Sequence, residues 1–343
     1  MTRALTGHQP VPGSRILAVD GFRGERVVPN SEIIGPIDSS DEWIRQRTGI
    51  VTRRRANPET TILDMAVAAA EATLAKAGLA ATQIDAVLLS TVTYFEQTPA
   101  LAARVAHAIG ATPAAAFDIS AACAGYSYGI GLADSLVRSG QARHVLVIGV
   151  ERMSDFIDPT DRSISFLLGD GAGAAVVGAS DVPLIGPTVW GADGSMACHI
   201  DQTQSWLELR SGDALDTPAQ VAAGTWPTLR QQGPSVFKWV ISNVPDIARR
   251  AVSAAGLEIS DIEVFVPHQA NMRIIDQVAK MLGLGEDVAI GRDIADTGNT
   301  SAASIPLATE RLLREGQAHS GQLALQIGFG AGMAYSAQVV ALP

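Results

Sequence analysis

The sequence predicts an α/β fold of two duplicated halves, each with a mixed, mainly parallel sheet covered by helices, facing each other about a pseudo-twofold. Three observations carry that expectation. Apolar strand-like runs alternate with helical periodicity through most of the 343 residues. A helix, a turn and a strand recur at a shift of 178, laying Ala77-Gly78-Leu79 on Ala255-Gly256-Leu257 and Val87-Leu88-Leu89 on Phe265-Val266-Pro267. Ser120-Ala121-Ala122-Cys123 also matches Ser301-Ala302-Ala303-Ser304, and each half closes on a glycine-rich turn and strand, GDGAGAAVVG from Gly169 and GFGAGMAYSAQVV from Gly328.

Taken in order, residues 1–14 are rich in Pro and Gly and read as a mobile tail, with order beginning near Arg15. The N-terminal half then spans 15–182. Ile16 to Val19 is strand-like, and Ser39-Ser40-Asp41-Glu42 ahead of Trp43, Ile44 and Arg47 is a capped short helix stopping near Gly49. Thr61 to Gly78 is a helix closed by a glycine suited to the left-handed cap, and Asp85 to Val92 is a strand. Behind a further strand, Ala114 to Ile119, the residues Tyr128, Leu132, Leu136 and Val137 repeat at helical spacing, so Cys123 falls in a helix's first turn. Residues 183–234, with Trp190, Trp206 and Trp226 among Gly, Asp and Pro, read as an irregular connection. The C-terminal half covers 235–343.

Composition limits the function classes. Charged residues are only 17% against a usual share of about 25%, so much of the surface is expected to be covered by another subunit. A net charge of −10 argues against nucleic acid or an anionic membrane as a partner, and an anionic ligand must meet a local basic patch. Two cysteines, Cys123 and Cys198, and the lack of an apolar N-terminal segment point to the cytoplasm rather than to secretion. The six histidines show no metal-ligand spacing, so no metal is expected.

Three polar residues lie where the duplicated plan gathers loops. Cys123 sits among Ala121, Ala122, Ala124 and Gly125 at a helix start, where unpaired N–H groups favour an anion and lower a thiol's pKa; a buried structural thiol is the other reading. His268 ends a second-half strand, at the edge where sites in α/β sheets collect. Asn299 precedes the helix that matches the Cys123 helix, where it also suits an N-cap. The glycine-rich turns lack a strand–GxGxxG–helix context and fit close backbone approach rather than a phosphate loop. Trp43, beside Arg45 and Arg47, is either core or a platform for a ring. A Cys, His and Asn in this order also occurs in papain-like proteases, but that reading leaves the duplication unexplained.

With SSDEWIRQRTGI at Ser39 to Ile50, AACAG at Ala121, GDGAGAA at Gly169, VPHQANMRI at Val266 and GNTSAAS at Gly298, the chain resembles the β-ketoacyl-acyl-carrier-protein synthase III family from about Arg15 to Pro343. The resemblance implies a thiolase-like fold and a homodimer. It implies that an acyl-CoA acylates Cys123, and that malonyl-acyl-carrier protein then loses CO2 and attacks the acyl-enzyme, in the initiation of fatty-acid or polyketide synthesis. His268 and Asn299 would stabilise the enolate, and the backbone N–H groups of Cys123 and Ala331 the acyl oxyanion. Trp43, Arg47, Arg162 and Asn271 would contact CoA, while Lys238, Arg273 and Lys280 would dock the acidic carrier protein. Thr98 would reach the acyl pocket of the neighbouring subunit, where relatives confined to short straight primers carry Phe. Tyr126 and Ala331 stand where relatives have Phe and Gly. CoA thioesters are substrates here, and no cofactor is implied. An acyltransferase forming esters or amides and a catalytically silent partner subunit are the alternatives; a thiolase would need a second catalytic cysteine.

Overall fold

The computed structural model describes residues 7–211 and 226–343. Its first sheet has the strand order β1 (Gly13–Arg23), β7 (Asp170–Ser180), β6 (His144–Arg152), β4 (Ala86–Ser90), β5 (Ala115–Ile119). The second repeats the plan as β8 (Val189–Ala192), β14 (Ala334–Ala341), β13 (Leu323–Gly330), β11 (Val264–Pro267), β12 (Ala289–Ile290). In each sheet only the second strand of that order, β7 or β14, runs against the others, so both are mixed and mainly parallel. Two small antiparallel pairs, β2 (Arg26–Pro29) with β3 (Thr52–Arg55) and β9 (Ile200–Gln202) with β10 (Leu229–Gln231), lie outside the sheets.

Helices end where the sequence directs. Ser40 accepts the Trp43 N–H ahead of α1 (Asp41–Thr48), and Gly49 closes it at φ 77°. Thr61 and Asp64 form a reciprocal capping box on α2 (Ile62–Ala77), and Gly78 takes the left-handed cap. With α3 (Leu101–Ala108), α2 covers the outer face of the first sheet. On the outer face of the second lie α6 (Gly233–Ala254) and α7 (Met272–Leu282). Between the sheets run α4 (Gly125–Arg138) and α9 (Ser304–Arg314), whose Tyr126, Ile130, Ala133, Ile305, Ala308 and Leu312 join strands of both halves in one core. α5 (Trp206–Ser211) and α8 (Ile294–Thr297) are short. Charge ties the halves as well: Arg23 on β1 pairs with the buried Asp293 at 3.1 Å and with Glu310 of α9 at 2.6 Å. Among the described residues, no helix is long and apolar enough to cross a membrane.

Three sequence expectations shift. The tail ends earlier than 14, because β1 begins at Gly13 and the buried Ser14 donates its hydroxyl to Asp134 at 2.7 Å; residues 1–6 lie outside the described ones. The connection 183–234 is not wholly irregular, since β8 completes the second sheet by pairing with β14. The third shift concerns register. Ala122 and Ser301 both have positive φ, 46° and 48°, and each opens a 3-10 turn leading into a central helix. The counterpart of Cys123 is therefore Ala302 and not Ser304.

Tyr126 is wholly buried in the shared core, and its hydroxyl finds no hydrogen-bond partner among the described residues. An unpaired buried hydroxyl costs about 1–3 kcal/mol, so Tyr126→Phe is expected to raise the free energy of unfolding by about 1 kcal/mol. Denaturant unfolding measures this directly, and a loss of similar size would mean that the hydroxyl is bonded.

Candidate active site

Both halves contribute loops to one cavity of about 1440 Å³, and Cys123, His268 and Asn299 all line it. Cys123 follows β5 in the turn before α4, His268 follows β11, and Asn299 stands just ahead of the turn into α9. These are the three residues that the sequence singles out, and the close approach of the 122–124 and 301–303 turns helps bring them together.

Hydrogen bonds fix what each can do. Ser304 Oγ accepts the Gln269 N–H at 3.3 Å and lies 2.8 Å from His268 Nδ1. The tautomer in which the Ser304 hydroxyl donates to Nδ1 places the ring hydrogen on Nε2. Burial pushes the His268 pKa down to about 3, so the imidazole is neutral and donates from Nε2 without carrying charge. Asn299 Oδ1 accepts the Ser301 N–H at 2.8 Å, so only its NH2 is left to donate. The site thus offers two neutral donors whose other ends are tied down.

Cys123 is held by contact. A Cβ on Gly330 would come 2.7 Å from Cys123 N and 3.0 Å from its Cβ; Gly330 is extended, φ −170°, so the requirement is space and not conformation. The left-handed residue of that turn is Gly332, φ 130°, which is why alanine is tolerated at 331. Cys123 is half-buried and Ala331 lines the cavity beside it. The expectation of a lowered thiol pKa is not met: burial pushes it up to about 12, with the Glu151 charge adding to the rise, while the nearby Ser301 hydroxyl works the other way. Cys198 is exposed in the 194–199 turn.

At the mouth, Trp43 packs edge-on against Phe166 at 5.2 Å, with Arg162 at 5.4 Å and Arg47 at 5.8 Å from its ring centre. Asn271 lines the cavity, yet its side chain caps α7 through Arg273 N–H and donates to the Arg47 carbonyl. Arg273 lies 5.9 Å from the Phe237 ring on α6; Lys238 and Lys280 are exposed on α6 and α7. Arg249, unremarked in the sequence, donates to the Met281 carbonyl beside Lys280. Thr98 is exposed and does not line its own chain's cavity, whereas Tyr94 and Phe95 do. Phe95 packs against Trp206 and Trp226 at 5.6 and 5.2 Å, so the segment between the halves forms part of the cavity's wall. The sequence reading also missed Glu151 and Ser301, joined at 3.0 Å behind Cys123.

A thiol facing two neutral donors, in a duplicated body with helices buried between two sheets, defines a thiolase-like condensing enzyme. Comparison with known proteins narrows the class: the chain belongs to the β-ketoacyl-acyl-carrier-protein synthase III family, whose members are acyl-transferring enzymes. Residues 117–194 match the family model 3-oxoacyl-[acyl-carrier-protein (ACP)] synthase III, and 252–342 match its C-terminal model. The chain is 54% identical to β-ketoacyl-[acyl-carrier-protein] synthase III 1 of Streptomyces coelicolor over 333 residues, 97% of each chain. It is 52% identical to the synthase III of Streptomyces glaucescens, again over 97% of each. Among solved structures, the priming β-ketosynthase of the R1128 polyketide pathway superposes with a TM-score of 0.92 at 46% identity, covering 99% of each chain.

Because Gly330 touches the nucleophile's backbone, Gly330→Ala is expected to displace Cys123 at a cost of about 1–3 kcal/mol of stability. Condensing activity should fall much further than thermal stability does, and a variant with full activity would show that the strand can give way.

Proposed function

We propose that this enzyme acylates Cys123 from an acyl-CoA primer and then condenses the acyl group with malonyl-acyl-carrier protein, releasing CoA and CO2 and starting a fatty-acid or polyketide chain. The observation that carries the reading is the pair of neutral donors, His268 Nε2–H and the Asn299 NH2, facing the same cavity as the thiol. Decarboxylation sends an electron pair into the malonyl thioester carbonyl, and donors already oriented stabilise that enolate without reorganising. In the acyl transfer, the N–H groups of Cys123 and Ala331 serve the oxyanion. This chemistry needs neither a metal nor a redox group.

Recognition follows the same logic. Trp43, flanked by Arg47 and Arg162, suits an adenine ring and its phosphates, with Asn271 beside them in the cavity wall. Lys238, Arg273 and Lys280, with Arg249 near them, give an otherwise acidic protein a basic rim for an acidic carrier protein. The enzyme acts as a cytoplasmic homodimer. Support comes from β5, a sheet edge that leaves Phe117 43% exposed. Asp118 of that strand accepts the Leu101 and Ala102 N–H groups at 2.8 Å, which holds the start of α3, and Thr98 just before it, at the same edge. A copy paired along β5 would meet Thr98.

Intact-mass measurement after acyl-CoA exposure should find one acyl group on Cys123 and none on Cys198. His268→Ala and Asn299→Ala should keep single-turnover acylation while losing about 10²–10³-fold in malonyl decarboxylation. Equal losses in both half-reactions would instead assign these residues to the thiol.

Thr98→Phe should discriminate by primer length. Each methylene that no longer fits costs about 1–3 kcal/mol, or about 10–200-fold in kcat/KM, while acetyl-CoA should be little affected. Parallel losses across acetyl-, isobutyryl- and hexanoyl-CoA would remove Thr98 from the pocket.

A further inference from the structure

Glu151, near the end of β6, is fully buried, and hydrogen bonds converge on its carboxylate from two segments, 91–93 and the turn at Ser301. Thr93 Oγ1 donates to Oε2 at 2.7 Å, the Val92 N–H at 3.0 Å and Thr91 Oγ1 at 3.2 Å, while Ser301 Oγ donates to Oε1 at 3.0 Å. No cation is among these partners, which sets Glu151 apart from a buried structural ion pair such as Arg23 with Asp293. The 301–303 turn packs against the 122–124 turn, and Ser301 lines the cavity beside Cys123. The approach of the 301–303 turn to β6 is built in: a Cβ on Gly149 would come 2.2 Å from the Ala302 carbonyl oxygen. One hydroxyl therefore lies between the nucleophile and a carboxylate that has no other role in the reaction.

The charged neighbours leave this pair to itself. On β6, Arg152 turns to the Thr60 carbonyl and to Asp155. Asp170 on β7 is occupied by the Ala56 and Ser154 N–H groups and by the Ser154 hydroxyl. His268 is neutral, and burial holds it far from accepting a proton at neutral pH. Burial raises Glu151 to about 7 and the thiol to about 12, and the Glu151 charge opposes the thiolate. The pocket tolerates one negative charge and not two, so moving a proton from sulfur to carboxylate leaves its charge unchanged.

We propose that Glu151 is a positioning residue that holds the Cys123 proton through the acyl-enzyme stage, with the Ser301 hydroxyl as the bridge. As Cys123 Sγ attacks the thioester carbonyl, its proton passes to Ser301 Oγ while the Ser301 proton passes to Glu151. The new carbon–sulfur bond forms, the bond to the CoA sulfur breaks, and CoA leaves as a thiolate that solvent protonates. Glu151 is then neutral when the malonyl carboxylate enters and the carbanion forms beside it. Condensation expels the Cys123 thiolate, which recovers the proton from Glu151 through Ser301. One proton from solvent is consumed per turnover, as loss of CO2 from a carboxylate requires.

The proposal rests on the acylation reading above, and the test separates the two. Single-turnover acylation by acetyl-CoA, followed by intact mass, is compared with the rate of Cys123 alkylation by iodoacetamide in wild type, Glu151→Gln, Ser301→Ala and the double variant. Glu151→Gln should acylate about 10²-fold more slowly. It should also lose the wild-type rise in acylation rate as pH increases through about 7, where the carboxylate becomes able to accept. Its alkylation should slow as well and lose the same pH dependence, because the same proton must leave Cys123. The double variant should be no slower than either single one. A purely structural role would slow both reactions but leave the pH dependence of acylation in place; that result, additive losses, or wild-type acylation in Glu151→Gln would each overturn the relay. Wild-type protein that gains no acyl group would overturn the acylation reading and the relay with it.

Discussion

The structure depends on two helices, α4 and α9, enclosed between two sheets. Neither helix has a solvent face to spare: α9 is buried from Ser304 through Glu310, and even that glutamate is covered and paired with Arg23 and Arg314. Helices so enclosed cannot slide without opening apolar surface on both sides, so their N-terminal turns are fixed relative to each other. Those turns carry Cys123 on one side and Ser301 on the other, with Asn299 just ahead of the second. The site is a consequence of the core, and its precision is inherited from close packing at Gly330 and Gly149.

The same burial sets the charge balance. Low-polarity surroundings make every ion in the cavity costly, which is why His268 is neutral and why the thiol gains nothing from its helix start in the absence of substrate. A helix terminus stabilises a nearby anion by about 0.3–1 kcal/mol in ordinary settings, too little to offset the desolvation of a thiolate. Two neutral donors suit this environment better than a cation: they stabilise charge as it forms and impose none beforehand.

Much of this was legible in the sequence because it rests on local rules. Caps at Ser40, Thr61 and Gly78, the strand-to-helix transition at Cys123 and the strand end at His268 each depend on a few adjacent residues, and each appears where the periodicity puts it. Illegible features join distant residues. Glu151 closes an apolar strand and reads like any charged strand end, and nothing local reports that Thr93 and Ser301 enclose it. β8 is short, contains Gly191 and becomes a strand only by pairing with β14. The rise in the thiol pKa belongs to the folded cavity, and no motif encodes it.

Duplication supplies a symmetric frame that the chemistry then breaks. Ala122 and Ser301 are strained in the same way, and holding a non-glycine residue at positive φ costs about 1–3 kcal/mol wherever it persists. Both halves keep that strained turn, but they use it differently. In the first half it presents Cys123 to the cavity; in the second the strained residue itself, Ser301, turns its hydroxyl toward Glu151 and gives its N–H to Asn299. One backbone solution thus serves twice, carrying the nucleophile on one side and, on the other, the group that orients a donor and reaches a buried carboxylate. A Ser301 held in relaxed helical geometry would re-aim both its N–H and its hydroxyl, so the strain at this position is what couples the Asn299 amide to the surroundings of the thiol.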